Sequence, residues 1–111
     1  MSAVSVIIPN WNRREDLERL LRLLTRDAGL IREITVVDNG SRDGSAESAE
    51  RAGAKVIRLA RNLGFAAAVN LGIREARAEY LAVLNNDVEP APGWLLRLLE
   101  SAAEPGVWFA T

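Results

Sequence analysis

At 111 residues, 49% hydrophobic and 26% charged, the chain has enough apolar content for one small domain or part of a larger one, and too much for intrinsic disorder. Fourteen basic against fifteen acidic residues leave a net charge of −1, which argues against a nucleic-acid binder working through overall positive charge. The absence of Cys rules out disulfides and zinc–thiolate sites, and the absence of His rules out Ser–His and Cys–His nucleophile pairs, so any chemistry falls to carboxylates, amides, a metal or the substrate itself.

Met1-Ser2-Ala3 leads straight into an apolar run with no charged segment before it, so no signal peptide is expected. No apolar run approaches the roughly 20 residues of a membrane helix. Val4-Ser5-Val6-Ile7-Ile8 is β-branched and ends at Pro9, which cannot donate to a sheet ladder, so the first strand is predicted here. After Pro9-Asn10-Trp11-Asn12, a helix is predicted with Asn12 as N-cap and Glu15 completing a capping-box-like pair. Leu17, Leu20, Leu21 and Leu24 give it an apolar face, with Arg13, Arg14, Arg19 and Arg22 as solvated surface.

Ile34–Val37 reads as a second strand, stopped by the dense loop signal Asp38-Asn39-Gly40-Ser41-Arg42-Asp43-Gly44. A weak helix from Ser45 to Ala52 carries Ala46, Ala49 and Ala52 on one face, with Asp43 as its cap and Gly53 as its stop. Lys55–Leu59 alternates as a third strand nearer the sheet edge, and Arg61-Asn62-Leu63-Gly64 is a loop. A helix from about Phe65 to Ala78 is expected to turn Phe65, Val69, Gly72, Ile73 and Ala76 inward. Gly64 and Gly72 read as packing or close-approach positions. Asn70 sits mid-helix, where its propensity is poor. Tyr80–Leu84 is apolar throughout, as in a strand buried on both faces, and it ends abruptly in Asn85-Asn86-Asp87. Pro90-Ala91-Pro92 then suits a helix start, with Leu95, Leu98, Leu99 and Ala102 on one face. Pro105-Gly106 ends this helix, and Val107–Thr111 looks like the start of a fifth strand.

Strands alternating with helices imply a doubly wound, mostly parallel sheet with helices on both faces. Every strand then ends at one edge, where open α/β sheets bind ligands. That edge gathers Asn10–Asn12, Asp38–Asp43, Arg61–Gly64 and Asn85–Asp87. The first strand is followed by PNWNRRE, with neither the dinucleotide G-x-G-x-x-G nor a P-loop, so phosphates would not be held by a glycine-rich turn. A receiver-type domain would want paired acids after strand 1, and Pro9-Asn10 supplies none. Asn-Asn-Asp can simply make a turn. Its carboxylate can also hold a divalent cation against a diphosphate.

Four stretches carry a family resemblance: VSVIIPNWNR at 4–13, VVDNGSRDGS at 36–45, NLGFAAAVNLGI at 62–73 and LNNDVEPAPGWL at 84–95. In their order and spacing the chain resembles the inverting family 2 glycosyltransferases of GT-A fold, and within them the rhamnosyltransferase-like members. The resemblance implies a donor site for a dTDP-, UDP- or GDP-linked sugar. Pro9, Trp11 and Asn12 would lie near base and ribose, and Asp38 on the base. Asn62 and Gly64 would line the other side, with Asn86 also at the nucleotide. Asn85-Asn86-Asp87 takes the place of the family's D-x-D motif, with Asp87 as ligand to Mg²⁺ or Mn²⁺. Asn85 departs from that motif and leaves one carboxylate, to which Glu89 could add.

The family's acceptor half and catalytic base lie beyond the fifth strand. Residues 1–111 therefore read as the donor-binding part of a longer enzyme that passes its sugar to a glycan or lipid-linked glycan. The alternative is a nucleotide-sugar-binding module without turnover. A cytoplasmic location is expected, or a peripheral one at the inner membrane face. So is a homodimer through the region after the fourth helix, where Trp108 and Phe109 lie.

Overall fold

The computed structural model describes residues 3–102. Strands β1 (Val4–Asn10), β2 (Ile31–Asp38), β3 (Lys55–Arg58) and β4 (Tyr80–Val83) form one parallel sheet in the order β3-β2-β1-β4. Helices α1 (Arg14–Leu24, continued by a 3-10 turn at Thr25–Asp27), α2 (Ser45–Arg51) and α3 (Phe65–Glu75) connect the strands, and α4 (Trp94–Ala102) follows β4. This is the expected α/β architecture. The chain steps from β1 outward to β3, then returns to the far side of β1. Strand order thus reverses between β1 and β4, and the carboxyl ends of these two strands flank the switch point.

Alternation along the strands splits the core in two. Val4, Val6 and Ile8 of β1 and Val36 of β2 pack with the α1 leucines, Ala49 of α2 and Leu95 of α4. On the other face Ile7 and Val37 meet Ala68 of α3. The predicted leucine stripe of α1 is fully realised, since Leu17, Leu20, Leu21 and Leu24 are all buried. Burying each stabilises by about 1.5–3 kcal/mol relative to exposure. Gly72 is the close-approach position expected: an added Cβ there would come 2.4 Å from Ile7 Cγ2. At the amino edge, Ser5 Oγ donates to Glu33 Oε2 (2.7 Å), which also accepts from the Arg77 N–H (2.7 Å). This fastens the α3–β4 link beneath β1 and β2. Among the described residues no helix is long and apolar enough to cross a membrane.

Several local expectations are corrected. Strand β1 runs through Pro9 to Asn10. The Leu84 N–H donates to the Ile7 carbonyl and the Asn39 N–H to the Asn10 carbonyl, so odd residues of β1 face β4 and even ones face β2. Pro9 therefore presents its missing N–H to β4, which has ended its pairing at Val83, and a central strand tolerates it there. Helix α1 does not use Asn12 as its cap. Arg13 holds that position, with no side-chain cap of its own, and the Asn12–Glu15 box does not form.

In α3 the inward face is Ala68 and Gly72, while Phe65 and Ile73 are exposed. The helix stops at Glu75, because Ala76 is already extended. Ala52 is likewise exposed, just past the end of α2. Strand β4 is not buried on both faces. Among the described residues it is the sheet edge opposite β3, and Leu81 and Val83 are exposed on the α3 side. Helix α4 begins at Trp94, not at the prolines. The Trp94 indole donates to Asp27 Oδ2 at 2.9 Å, fixing α4 to the end of α1. The fifth strand, Trp108 and Phe109 lie outside the described residues.

Candidate functional site

The four polar strand ends do converge at the carboxyl edge. At their centre is Asn10, the last residue of β1 and only 2% exposed. Its Nδ2 donates to Asp38 Oδ1 (3.1 Å) and Ser41 Oγ (3.4 Å), and its Oδ1 accepts from Asn86 Nδ2 (2.9 Å). Asp38, 3% exposed, is the last residue of β2 and not a loop residue; its Oδ2 accepts from the Ser41 N–H (2.9 Å). Each Asp38 oxygen thus has a protein donor and one remaining lone pair for a ligand.

The loop after β2 shapes the neighbouring loop. Buried Asn39 accepts from the Leu63 N–H (3.1 Å) and donates to the Gly64 carbonyl (3.4 Å). At Gly40 (φ +82°) a Cβ would sit 2.9 Å from Arg61 Cα, so the two loops touch backbone to backbone. Asn62 closes its own turn by accepting from the Gly64 N–H (2.8 Å). Gly64 itself has φ 93° and ψ 167°, a region essentially reserved for glycine. A Cβ there would meet nothing within 4 Å. The residue serves backbone conformation and not packing, which corrects the packing expectation.

The loop after β1 is strained. Asn12 and Arg13 have φ 55° and 58°, both left-handed, which Asn tolerates and Arg does not favour. Hydrogen bonds from the β2 loop hold them. The Asn12 N–H donates to Ser41 Oγ (2.7 Å), and Asn12 Oδ1 accepts from the Arg42 N–H (3.1 Å). Asp43 Oδ2 accepts from the Arg14 N–H (2.9 Å), while its Oδ1 accepts from the Ser45 N–H (3.0 Å) and hydroxyl. One carboxylate therefore caps both α1 and α2, where a cap for α2 alone was expected. Burial works to raise the Asp43 carboxyl, but the donors from Ser45 and Arg14 outweigh it and hold it below its ordinary value.

The turn after β4 is closed by the Val88 N–H donating to the Asn85 carbonyl (3.3 Å). Asn86 is half-buried and reaches back to Asn10, while Asn85 and Asp87 are exposed. Glu89 does not join Asp87; it pairs with Arg19 of α1 at 3.2 Å. Trp11, 54% exposed, stands beyond the end of β1. Among the described residues no group of three or more His, Cys, Asp or Glu could hold a metal. The exposed Asp87 carboxylate is a hard oxygen donor of the kind Mg²⁺ and Mn²⁺ take, and a single carboxylate fits a cation that keeps further ligands on phosphate. An apolar groove lined by Leu21, Leu24, Ile31 and Ala54 lies near the amino ends of the strands, away from this edge.

Of the residues singled out in the sequence, Pro9, Asn12, Asp38, Asn62, Gly64 and Asn86 are gathered here directly or through Asn10, Asn39 and Ser41. Those three connectors were missed as site residues. The available signal was position: each is a polar residue at, or within three of, a strand end.

In a parallel α/β sheet, polar side chains interlocked around the switch point mark the edge where such folds take ligands. The chain belongs to glycosyl transferase family 2, whose model matches residues 5–110. It is 40% identical over 110 residues to the undecaprenyl-phosphate 4-deoxy-4-formamido-L-arabinose transferase of Pseudomonas paraeruginosa, covering 91% of this chain and 32% of that one. It is 38% identical over 103 residues to the dolichol-phosphate mannosyltransferase of Pyrococcus furiosus, covering 88% and 29%. Among solved structures it resembles a mannosyltransferase of Pyrobaculum calidifontis in complex with GDP-Man and Mn²⁺ (TM-score 0.84, 26% identity, 94% of this chain and 33% of that one). The fold is also that of glucosyl-3-phosphoglycerate synthase of Mycobacterium tuberculosis (TM-score 0.82, 21% identity, 96% of this chain and 41% of that one). The chain spans about a third of the length of the curated relatives it matches. Those relatives are polyprenyl-phosphate sugar transferases and a mannosyltransferase, so the rhamnosyltransferase-like reading has no support among them.

Proposed function

We propose that residues 1–111 form the donor-binding part of a glycosyltransferase that moves a sugar from a nucleoside-diphosphate sugar to a lipid-linked acceptor. The observation that carries this is the network joining Asn10, Asp38 and Asn86 across the switch point, in a chain whose family model spans residues 5–110. Asp38 offers its free lone pairs to the base, with Pro9, Trp11 and Asn12 along base and ribose and the Asn62–Gly64 loop opposite. Asp87 would hold Mg²⁺ or Mn²⁺, which when bound supplies charge neutralisation for the departing diphosphate. An acceptor oxygen attacks the anomeric carbon in line and the carbon–oxygen bond to the diphosphate breaks, inverting that centre. The polyprenyl-phosphate names of the relatives favour a lipid phosphate as acceptor and a peripheral position at the inner membrane face. GDP- and UDP-linked donors have support from the structural relatives, whereas a dTDP-linked donor rests on the sequence resemblance. A homodimer through the region after α4 belongs to this reading, and the exposed Leu81 and Val83 of β4 offer apolar surface for it.

A second reading is a nucleotide-sugar-binding module without turnover. Calorimetry decides first on binding: Mn²⁺ titrated with and without GDP, UDP or dTDP. Metal binding is expected only with nucleotide present, because one carboxylate is a poor site without phosphate oxygens, and it is expected to disappear in Asp87→Ala. Tight binding of metal alone, or no effect of Asp87→Ala, refutes the site. Release of nucleoside diphosphate from donor sugar by the chain alone, given a polyprenyl phosphate, would refute the module.

A further inference from the structure

We infer that Asn10 is the positioning residue that locks the base-side carboxylate Asp38 and the diphosphate-side turn Asn85–Asp87 into one geometry; this rests on the function proposed above. Strand β1 lies between β2 and β4, so its end alone can touch both flanking strand ends. The last ladder bond toward β4 is the Leu84 N–H to the Ile7 carbonyl. The next would come from the amide of Pro9, which has no N–H. Backbone pairing therefore stops where the site begins, and the Asn86–Asn10 side-chain bond spans the gap in its place.

Asparagine suits this position by its chemistry. A carboxylate only accepts, so Asp38 fixes which way the Asn10 amide faces: Nδ2 toward Asp38 and Ser41, Oδ1 toward Asn86. Both amide hydrogens and the carbonyl are then in use. Serine or threonine is too short to span all three partners, and aspartate would set a second carboxylate against Asp38 and lose both donors. With both amide hydrogens committed to Asp38 and Ser41, Asn10 has no donor left for a ligand. It acts through Asp38 and Asn86.

The test measures Mn²⁺-dependent binding of GDP, UDP and dTDP to the full-length protein as wild type, Asn10→Ala, Asn86→Ala and the double variant. Each single change is expected to weaken metal-dependent binding about tenfold, the size of one displaced polar contact, and the double variant is expected to fall within about twofold of the weaker single. A purely structural role would lower the melting temperature and leave that non-additivity absent. If wild type binds and Asn10→Ala binds as tightly, or if the two effects multiply independently, the inference is overturned. Should Asn10→Ala fail to fold, Asn86→Ala breaks the same bond from its half-exposed end, and unchanged affinity there overturns the inference alone. If wild type binds none of the three nucleotides, the functional reading fails and takes the inference with it.

Discussion

Replacing Asp43 by alanine should destabilise the domain at two helix starts simultaneously. Its carboxylate accepts from the first N–H of α1, at Arg14, and from the first N–H and hydroxyl of α2, at Ser45. Loss of a helix cap costs about 1 kcal/mol, so two caps cost about 2 kcal/mol. For a domain of this size that lowers the melting temperature by about 10 °C. Asp43→Asn keeps one carbonyl oxygen against three donors and should lose about half as much. The pH dependence follows from the carboxyl being held below its ordinary value of 3.8. A depressed folded-state pKa gives stability that is present above the unfolded value and lost as pH falls through the folded one. The gap between wild type and Asp43→Ala should therefore be full at pH 7 and shrink only below about pH 3.8. Denaturant melts by circular dichroism across that range measure it. A difference under about 0.5 kcal/mol at pH 7, well below a single cap, or one that persists unchanged in acid, would refute the double-cap reasoning.

Gly72→Ala should destabilise by about 1–3 kcal/mol, because the new methyl overlaps Ile7 Cγ2 in the core; in an Ile7→Ala background, which lacks that atom, the same change should cost less in the same melts. Asp38→Ala should weaken nucleotide binding roughly ten- to a hundredfold in calorimetry. It should also lower the melting temperature while keeping one cooperative transition, since it leaves the buried Asn10 amide with only one of its two acceptors, Ser41. Loss of that transition would make Asp38 structural. Trp94→Phe should cost about 1 kcal/mol, for one hydrogen bond to Asp27 at kept ring packing; an unchanged melt would show that α4 is held by Leu95 alone.

Period and punctuation in the sequence sufficed for the fold. The α1 leucines could face only inward, β-branched runs ending in polar clusters could only be strands of a parallel sheet, and glycine had to stop α2. The convergence of four polar clusters followed, because in such a sheet all strands end at one edge. What the sequence could not show was how those clusters are wired together. Asn12 has the composition of a cap, yet the side chain that accepts from the first N–H of α1 is Asp43, 29 residues beyond Arg14; local propensity contains no information about a donor and acceptor joined only by tertiary packing. Tyr80–Leu84 looked central because apolarity reports what a strand packs against anywhere, whereas its place at the edge of the described sheet is a matter of neighbours. Phe65 and Ile73 were assigned inward for hydrophobicity, but the tight seat of Gly72 on Ile7 fixes the rotation of α3 and turns them out. The sequence places Asn10 at the ligand edge with Trp11 and Asn12 but gives it no role of its own. Its role arises only where a proline ends one ladder and three strand ends come within reach of a single amide.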